Sequence, residues 1–350
     1  MCPLLGIFPS FESLGGVERS GRVAWTGIEG RLFSYARNLK AATGDQNGSA
    51  VHAHSKPGAI LEALRRSWPE RTVLIWHLGL LQLVPFLRVR HAQVALFLHG
   101  IEAWRRHGPV TQAMLRRVDL FLTNSEYTWD RFVNANQRFR SAAHETVHLG
   151  LDSAVQADPA APDTTPSALM LGRMARRENY KGHREMITAW PQVLERIPNA
   201  QLWIAGGGDL RVDLERLAVG CGVAGRVQFL GIISEEEKQR RIARSRCLVM
   251  PSRGEGFGLV YLEGMRLGRP CLVSTVDAGL EVVNPPEAGL AADPSDRDQL
   301  ADSVCRLLTE GPEWEQWSQR ARLRYEERFT AAHFQQRLRT ALATLERAST

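Results

Sequence analysis

Short apolar runs alternate with longer amphipathic stretches along the chain. In the first half the runs fall at 4–8, 72–76, 93–98, 119–123 and 146–149 and read as strands. Between them, 58–66, 80–88, 112–117 and 126–134 carry helical spacing. Such alternation predicts a parallel sheet covered by helices on both faces. The pattern stops at 152–167, which is rich in Pro, Ala, Asp and Thr and reads as a linker. It restarts with strands at 168–171, 201–205, 227–230, 247–251 and 270–274, separated by helices at 183–196, 210–219, 235–245 and 259–267. Helices near 296–308, 313–328 and 331–347 close the chain. Two similar α/β halves joined by a linker predict a cleft between domains. Ligands of open sheets gather at the carboxyl ends of strands, so the informative residues are expected just after strands.

At 350 residues, 44% hydrophobic and 23% charged, the chain is long enough for two globular domains. No run reaches the roughly 20 apolar residues of a spanning helix; the best, 73–87, is broken by His77, Gln82 and Pro85. No signal peptide is expected at the start, because the apolar run of 1–8 is too short and lacks a basic lead. Cys2, Cys221, Cys247, Cys271 and Cys305 form no C-x-x-C pair, as in a reduced cytoplasmic chain. The net charge of +6 is uneven: residues 1–150 hold 18 basic and 11 acidic side chains, residues 151–350 hold 26 and 27. The excess includes Arg65-Arg66, Arg105-Arg106 and Arg116-Arg117, with Arg88 and Arg90 nearby. Two readings stand: solvated helix faces, or a first half that meets an acidic leaflet or a lipid-linked diphosphate. Nucleic acid is disfavoured, because no helix-turn-helix, RNP-type or zinc-finger signature is present.

The most specific motif is PSRGEGFGLVYLEGMRLGRPCL at 251–272. A strand ends in a loop with Gly254, Gly256 and Gly258, and a helix starts near Leu259. Glycines let backbone N–H groups approach a ligand, and a helix N-terminus favours phosphate. Glu255 and Glu263 lie eight positions apart, and Glu263, inside an apolar helix, needs a partner or a ligand hydroxyl. In LGRMARRENYKGH at 171–183, Arg173 and Lys181 follow a strand, which suits a departing diphosphate. Gly15-Gly16 precede Arg19 after the first strand; His99 and Glu102 follow the strand at 93–98; Gly206-Gly207-Gly208 follow that at 201–205. The last turn is no dinucleotide fingerprint, since Arg211 stands where its final glycine belongs. Asp296-Arg297-Asp298 matches a metal-binding D-x-D by letters, but its place ahead of a late helix makes it a cap. No metal site is expected.

The E-x7-E spacing with its glycines resembles the signature of retaining GT-B glycosyltransferases of family four. The resemblance covers 170–295 most closely, and 10–35 and 90–150 less so. It implies an α/β fold of the GT-B type: two Rossmann-like domains facing a central cleft. The first would be the acceptor-side domain over 1–155, and the second the nucleotide-sugar domain over 165–330. A terminal helix over 331–350 is free to cross back to the first. By the resemblance Glu255 faces the donor sugar, Glu263 the nucleotide ribose, and Arg173 with Lys181 the donor phosphates. Gly16 covers the donor phosphates and His99 contacts the sugar. Gly206, Leu230, Gly256, Phe257, Gly258 and Leu259 complete the donor site, and Arg19 and Glu102 fall on the acceptor side. Asp277-Ala278-Gly279-Leu280 departs from the family, which often has two adjacent glycines there.

The implied activity is metal-independent, retaining transfer of a mannose- or glucose-type hexose from a GDP- or UDP-linked donor, with no cofactor. The acceptor would be a saccharide, with a lipid-linked intermediate of surface polysaccharide synthesis favoured. An anionic membrane surface would be a partner of a cytoplasmic, peripheral protein. The alternative is a non-catalytic nucleotide-sugar-binding protein on the same fold.

Overall fold

Two all-parallel sheets organise the chain. The computed structural model describes residues 4–9, 11, 15–35, 51–53, 55–89, 92–152 and 161–347. Cys2, Ser13, Leu14, Arg90 and the 153–160 stretch of the expected linker lie outside the described residues. The chain divides into two compact units, 1–152 with 330–350, and 153–329.

The first unit runs β1 (Leu4–Pro9), α1 (Gly16–Trp25), β2 (Gly30–Tyr35), β3 (Val51–Ala53), α2 (Lys56–Arg65), β4 (Ser67–Trp68) and β5 (Thr72–Ile75). It continues with β6 (Arg88–Val89), β7 (Gln93–Leu98), α3 (Pro109–Leu115), β8 (Leu120–Thr123), α4 (Glu126–Ala135) and β9 (His144–Thr146). Its sheet order is β3-β2-β1-β5-β7-β8-β9, with β4 and β6 forming a separate pair. Every residue of β5 and β8 is buried, because a parallel sheet is covered on both faces.

The second unit runs β10 (Ser167–Leu171), α5 (His183–Arg196), β11 (Gln201–Ala205), α6 (Arg211–Gly220), β12 (Val227–Gly231), α7 (Glu235–Arg244) and β13 (Cys247–Met250). Then follow α8 (Leu259–Arg266), β14 (Cys271–Ser274), α9 (Gly279–Val283), β15 (Gly289–Ala292), α10 (Arg297–Leu308) and α11 (Pro312–Arg328). The sheet order is β12-β11-β10-β13-β14-β15. Helix α5 buries His183, Met186, Ile187, Trp190 and Val193, the spacing of one helical face. Ser234 caps α7 by accepting from Glu237 N, acidic residues fill its first turn, and Arg241 and Arg244 lie in its last.

The final helix, α12 (Ala331–Arg347), packs with the first unit. Gln335 donates to the carbonyl of Val23 at 2.9 Å, Arg339 donates to that of Gly27 at 3.0 Å, and the Phe334 ring lies 6.2 Å from that of Trp76.

Two sequence expectations are corrected. The helix expected over 80–88 is a 3-10 helix at Leu78–Phe86, where Pro85 removes an amide donor. The strand expected at 146–149 ends at Thr146, because it pairs only with the short β8. Among the described residues no helix is long and apolar enough to cross a membrane.

Candidate functional site

In the second unit, the carboxyl ends of four neighbouring strands carry the residues singled out from sequence: Arg173 after β10, Gly206 after β11, Leu230 near the end of β12, and Glu255 after β13. After β13 the hydroxyl of Ser252 accepts from Gly254 N at 3.2 Å. Gly258, with φ 87°, starts α8 in the left-handed region, and a Cβ there would lie 2.3 Å from the Tyr261 ring. Tyr261 donates to the carbonyl of Met250 at 3.0 Å, tying α8 to β13. Phe257 is buried and meets Phe329 edge-on at 6.1 Å, which anchors the loop ahead of α8. Gly256 and Leu259 are half-buried beside it.

Lys181 Nζ lies 3.3 Å from Glu255 Oε2. Burial pulls the Lys181 ammonium down, but Glu255, Tyr180 and Glu178 outweigh it and raise it above the ordinary lysine value. Gly182, with φ 83°, follows, and a Cβ there would lie 2.6 Å from the Pro251 carbonyl oxygen. Arg173 is two-thirds exposed and reaches Glu178 at 2.7 Å, while Glu178 is buried with Oε2 unpartnered. A Cβ on Gly206 (φ 141°) would lie 1.9 Å from the Gly172 carbonyl oxygen. The glycines at 206–208 therefore first serve the close approach of two strand-end loops. Met174 N donates to Gly207 O at 2.9 Å, and Gly206 N donates to Gly231 O, beside Leu230, at 2.8 Å.

Glu263 is buried in α8, and its partner is Lys238 of α7, Nζ to Oε1 at 2.7 Å. Lys238 also reaches Glu235 at 2.5 Å. Sequence reasoning asked for a partner without finding it, because 25 positions separate the two. It also passed over Glu178, and it marked Asp277 only as part of a departure from the family pattern, not as a partner of Glu255. Asp277, buried after β14, accepts from Glu255 N at 3.2 Å and from Gly279 N at 2.9 Å. Burial, with Glu255 adding to it, pushes its carboxyl up to about 7 against the pull of those N–H groups and Ser252. The signal available was a lone carboxylate beside apolar segments.

Asp296 caps α10 by accepting from Gln299 N at 2.9 Å, and Asp298 accepts from Gln192 at 2.6 Å. Among the described residues no cluster of three His, Cys, Asp or Glu side chains could hold a metal ion.

The first unit holds Gly16, Arg19, His99 and Glu102. Gly16 opens α1, and Arg19 N donates to the Gly15 carbonyl at 3.0 Å. His99 is buried against Trp76 and Phe97, and burial lowers it to about 4, so the ring is neutral at pH 7. Its Nε2 lies 2.6 Å from the Trp76 carbonyl oxygen. A carbonyl only accepts, so Nε2 carries the proton and Nδ1 is the acceptor. Oε1 of Glu102 accepts from His99 N and Gly100 N, at 2.6 and 3.2 Å, and shapes this loop. Arg65, Arg66, Arg105, Arg106, Arg116 and Arg117 are all exposed.

Residues 165–310 match the family of glycosyl transferases group 1. A GDP-mannose-dependent alpha-(1-6)-phosphatidylinositol monomannoside mannosyltransferase of Mycobacterium tuberculosis is 32% identical over 232 residues, 60% of this chain and 59% of that protein. The match thus spans about three fifths of that relative's length. Among solved structures, sucrose-phosphate synthase from Thermosynechococcus elongatus superposes with a TM-score of 0.78 at 18% identity, covering 99% of this chain and 100% of that one. HepE of Anabaena, in complex with UDP, gives 0.77 at 16% identity, covering 98% and 100%. The fold is therefore GT-B, and the second unit, with its strand-end cations and two glutamates, is a group 1 glycosyl transferase domain.

Proposed function

We propose that the chain is a retaining glycosyltransferase. It would move a mannose- or glucose-type hexose from a nucleotide-diphosphate sugar to a saccharide acceptor, with a lipid-linked intermediate of surface polysaccharide synthesis favoured. The observation that carries the reading is the placing of Arg173, Lys181 and Glu255 after the neighbouring strands β10 and β13, with Lys181 and Glu255 in contact at 3.3 Å.

The chemistry needs charge stabilisation where the diphosphate departs and around an oxocarbenium-like sugar. Arg173 and Lys181 supply the first. Glu255 would take the sugar hydroxyls and Glu263 the ribose, exchanging part of its contact with Lys238. A neutral His99 with an acceptor Nδ1 suits a sugar hydroxyl better than a cation would. Gly16 would approach the donor phosphates, and Arg19 and Glu102 would serve the acceptor side. The helix-capping role of Asp296 supports transfer without a metal ion. The mycobacterial relative's name supports GDP-mannose as the first donor to try and a lipid-borne acceptor. The exposed arginines of the first unit support a peripheral place on the inner membrane face. The test is incubation with GDP-mannose or UDP-glucose and a lipid-linked saccharide, reading the product's anomeric configuration by NMR. Retention of the donor's configuration is expected, and inversion overturns the mechanism.

A further inference from the structure

We propose that Asp277 is a positioning residue that fixes the backbone at Glu255 and thereby the presentation of that carboxylate to the donor sugar. The inference rests on the reading of Glu255 given above.

Asp277 follows β14, and its side chain is 3% exposed. One oxygen, Oδ1, accepts from Gly279 N at 2.9 Å, which a helix cap would also do at the start of α9. The other, Oδ2, accepts from Glu255 N at 3.2 Å, across 22 positions and onto the loop of the neighbouring strand. Capping does not need that second bond. The Glu255 carbonyl in turn accepts from Ala278 N at 3.2 Å. Both backbone groups of Glu255 are thus held by one turn, while its side chain stays partly open beside Lys181. A Cβ on Gly279 would lie 3.0 Å from Asp277 Oδ1 and from the Val273 side chain, so a glycine there leaves the carboxyl its room. A glycine at 277 would have no side chain to make the Oδ2 bond.

The groups facing the carboxyl are Glu255, Ser252 and the buried Tyr261. An ionised Asp277 accepts two N–H bonds. A proton on Oδ2 removes its charge and competes with the Glu255 N–H at that oxygen, so that bond would weaken. The carboxyl is held near 7 by burial, so this change falls within the working range of pH. Glu255 would be held above that pH and loosened below it.

The experiment follows nucleoside diphosphate release from GDP-mannose and UDP-glucose between pH 5.5 and 8.5, for wild type, Asp277→Asn and Glu255→Gln. Wild type is expected to lose kcat on an acid limb near pH 7. Asp277→Asn is expected to lose about 10- to 100-fold in kcat, the scale of one hydrogen bond to a charged group, and to lose the limb. Its affinity for GDP or UDP alone should fall less than kcat, because Arg173 and Lys181 are not held by Asp277. Hydrogen exchange across 254–258 gives a readout without turnover: at pH 8 the variant should exchange faster there and in the 277–279 turn, and nowhere else. A wild-type profile without the limb overturns the proposal. So does an Asp277→Asn variant with wild-type kcat and limb, or with unchanged exchange at 254–258. Full activity in Glu255→Gln instead removes the reading on which the proposal stands, and is separately visible.

Discussion

Lys181 and Glu255, 74 positions apart in sequence, meet at 3.3 Å at the carboxyl edge of the second unit's sheet. A nearly buried cation beside a partly open carboxylate gives one place where a diphosphate can leave and a sugar can be held. Together with Arg173, which is two-thirds exposed, Lys181 is ready to take up negative charge.

Removing those cations should therefore lower turnover more than stability. Arg173→Ala and Lys181→Ala are each expected to cost about 10²–10³ in kcat, the scale of losing a preorganised charge contact in the transition state. Diphosphate release measures it, with thermal unfolding as the control. Unchanged turnover in the double variant would contradict the assignment.

The pair Lys238–Glu263 should behave differently. Their side chains are 14% and 4% exposed, so removing one partner strands a buried charge. Lys238→Met is expected to destabilise the chain by roughly 2–4 kcal/mol, and adding Glu263→Gln should recover part of that. Glu263→Gln should also weaken nucleoside diphosphate binding, through the loss of a ribose contact. Denaturant unfolding and calorimetric titration check the two halves. A double variant no more stable than Lys238→Met alone would show that the two groups are not coupled.

How far the sequence carried this reading depends on range. Fully buried strands such as Leu120–Thr123 and Cys271–Ser274 stand out as apolar runs, so the α/β class and the positions of Arg173, Lys181 and Glu255 after strands were legible. Strands without such a run were missed: Gly289–Ala292 is only glycine, leucine and alanine, and Gly30–Tyr35 carries Arg31 and Ser34. At 78–86 one apolar stretch serves helix and 3-10 geometry alike, and the Pro85 ring, which clashes with the carbonyl four residues back in an α-helix, counts against the α form. Long-range pairing was invisible. Nothing local to Glu263 names Lys238, and nothing local to Asp277 shows that it reaches the Glu255 amide.

Stability should fall on acidification. Burial lowers His99, His144 and His183 to about 4 each, against 6.5 for the free side chain. A lowered histidine contributes stability that is present above pH 6.5 and lost as pH falls toward 4. Asp277, raised to about 7 from 3.8, acts oppositely, its contribution fading as pH rises through that window. Three groups outweigh one, so the unfolding midpoint should drop between pH 6.5 and 4.5. His183→Leu should blunt the drop, since the His183 Nε2 is buried without a partner. A variant as acid-sensitive as wild type would contradict this.

The basic first unit should bind acidic lipid. Arg65, Arg66, Arg105, Arg106, Arg116 and Arg117 are exposed, and each basic side chain near an anionic surface is worth about 1 kcal/mol, fading within a Debye length. Co-sedimentation with phosphatidylserine vesicles should be strong at low salt and absent at high salt, and absent on neutral vesicles throughout. Equal binding to both lipids, or none at low salt, would leave the lipid-linked acceptor without support.

The most direct test of the donor reading uses radiolabelled nucleotide sugars, with GDP-mannose, UDP-glucose and UDP-N-acetylglucosamine offered separately to the full chain in the presence of EDTA. The account predicts that one of them releases its nucleoside diphosphate at a rate that Arg173→Ala, Lys181→Ala and Glu255→Gln each lower sharply. Release from none of them, or release that these three substitutions leave untouched, would contradict it.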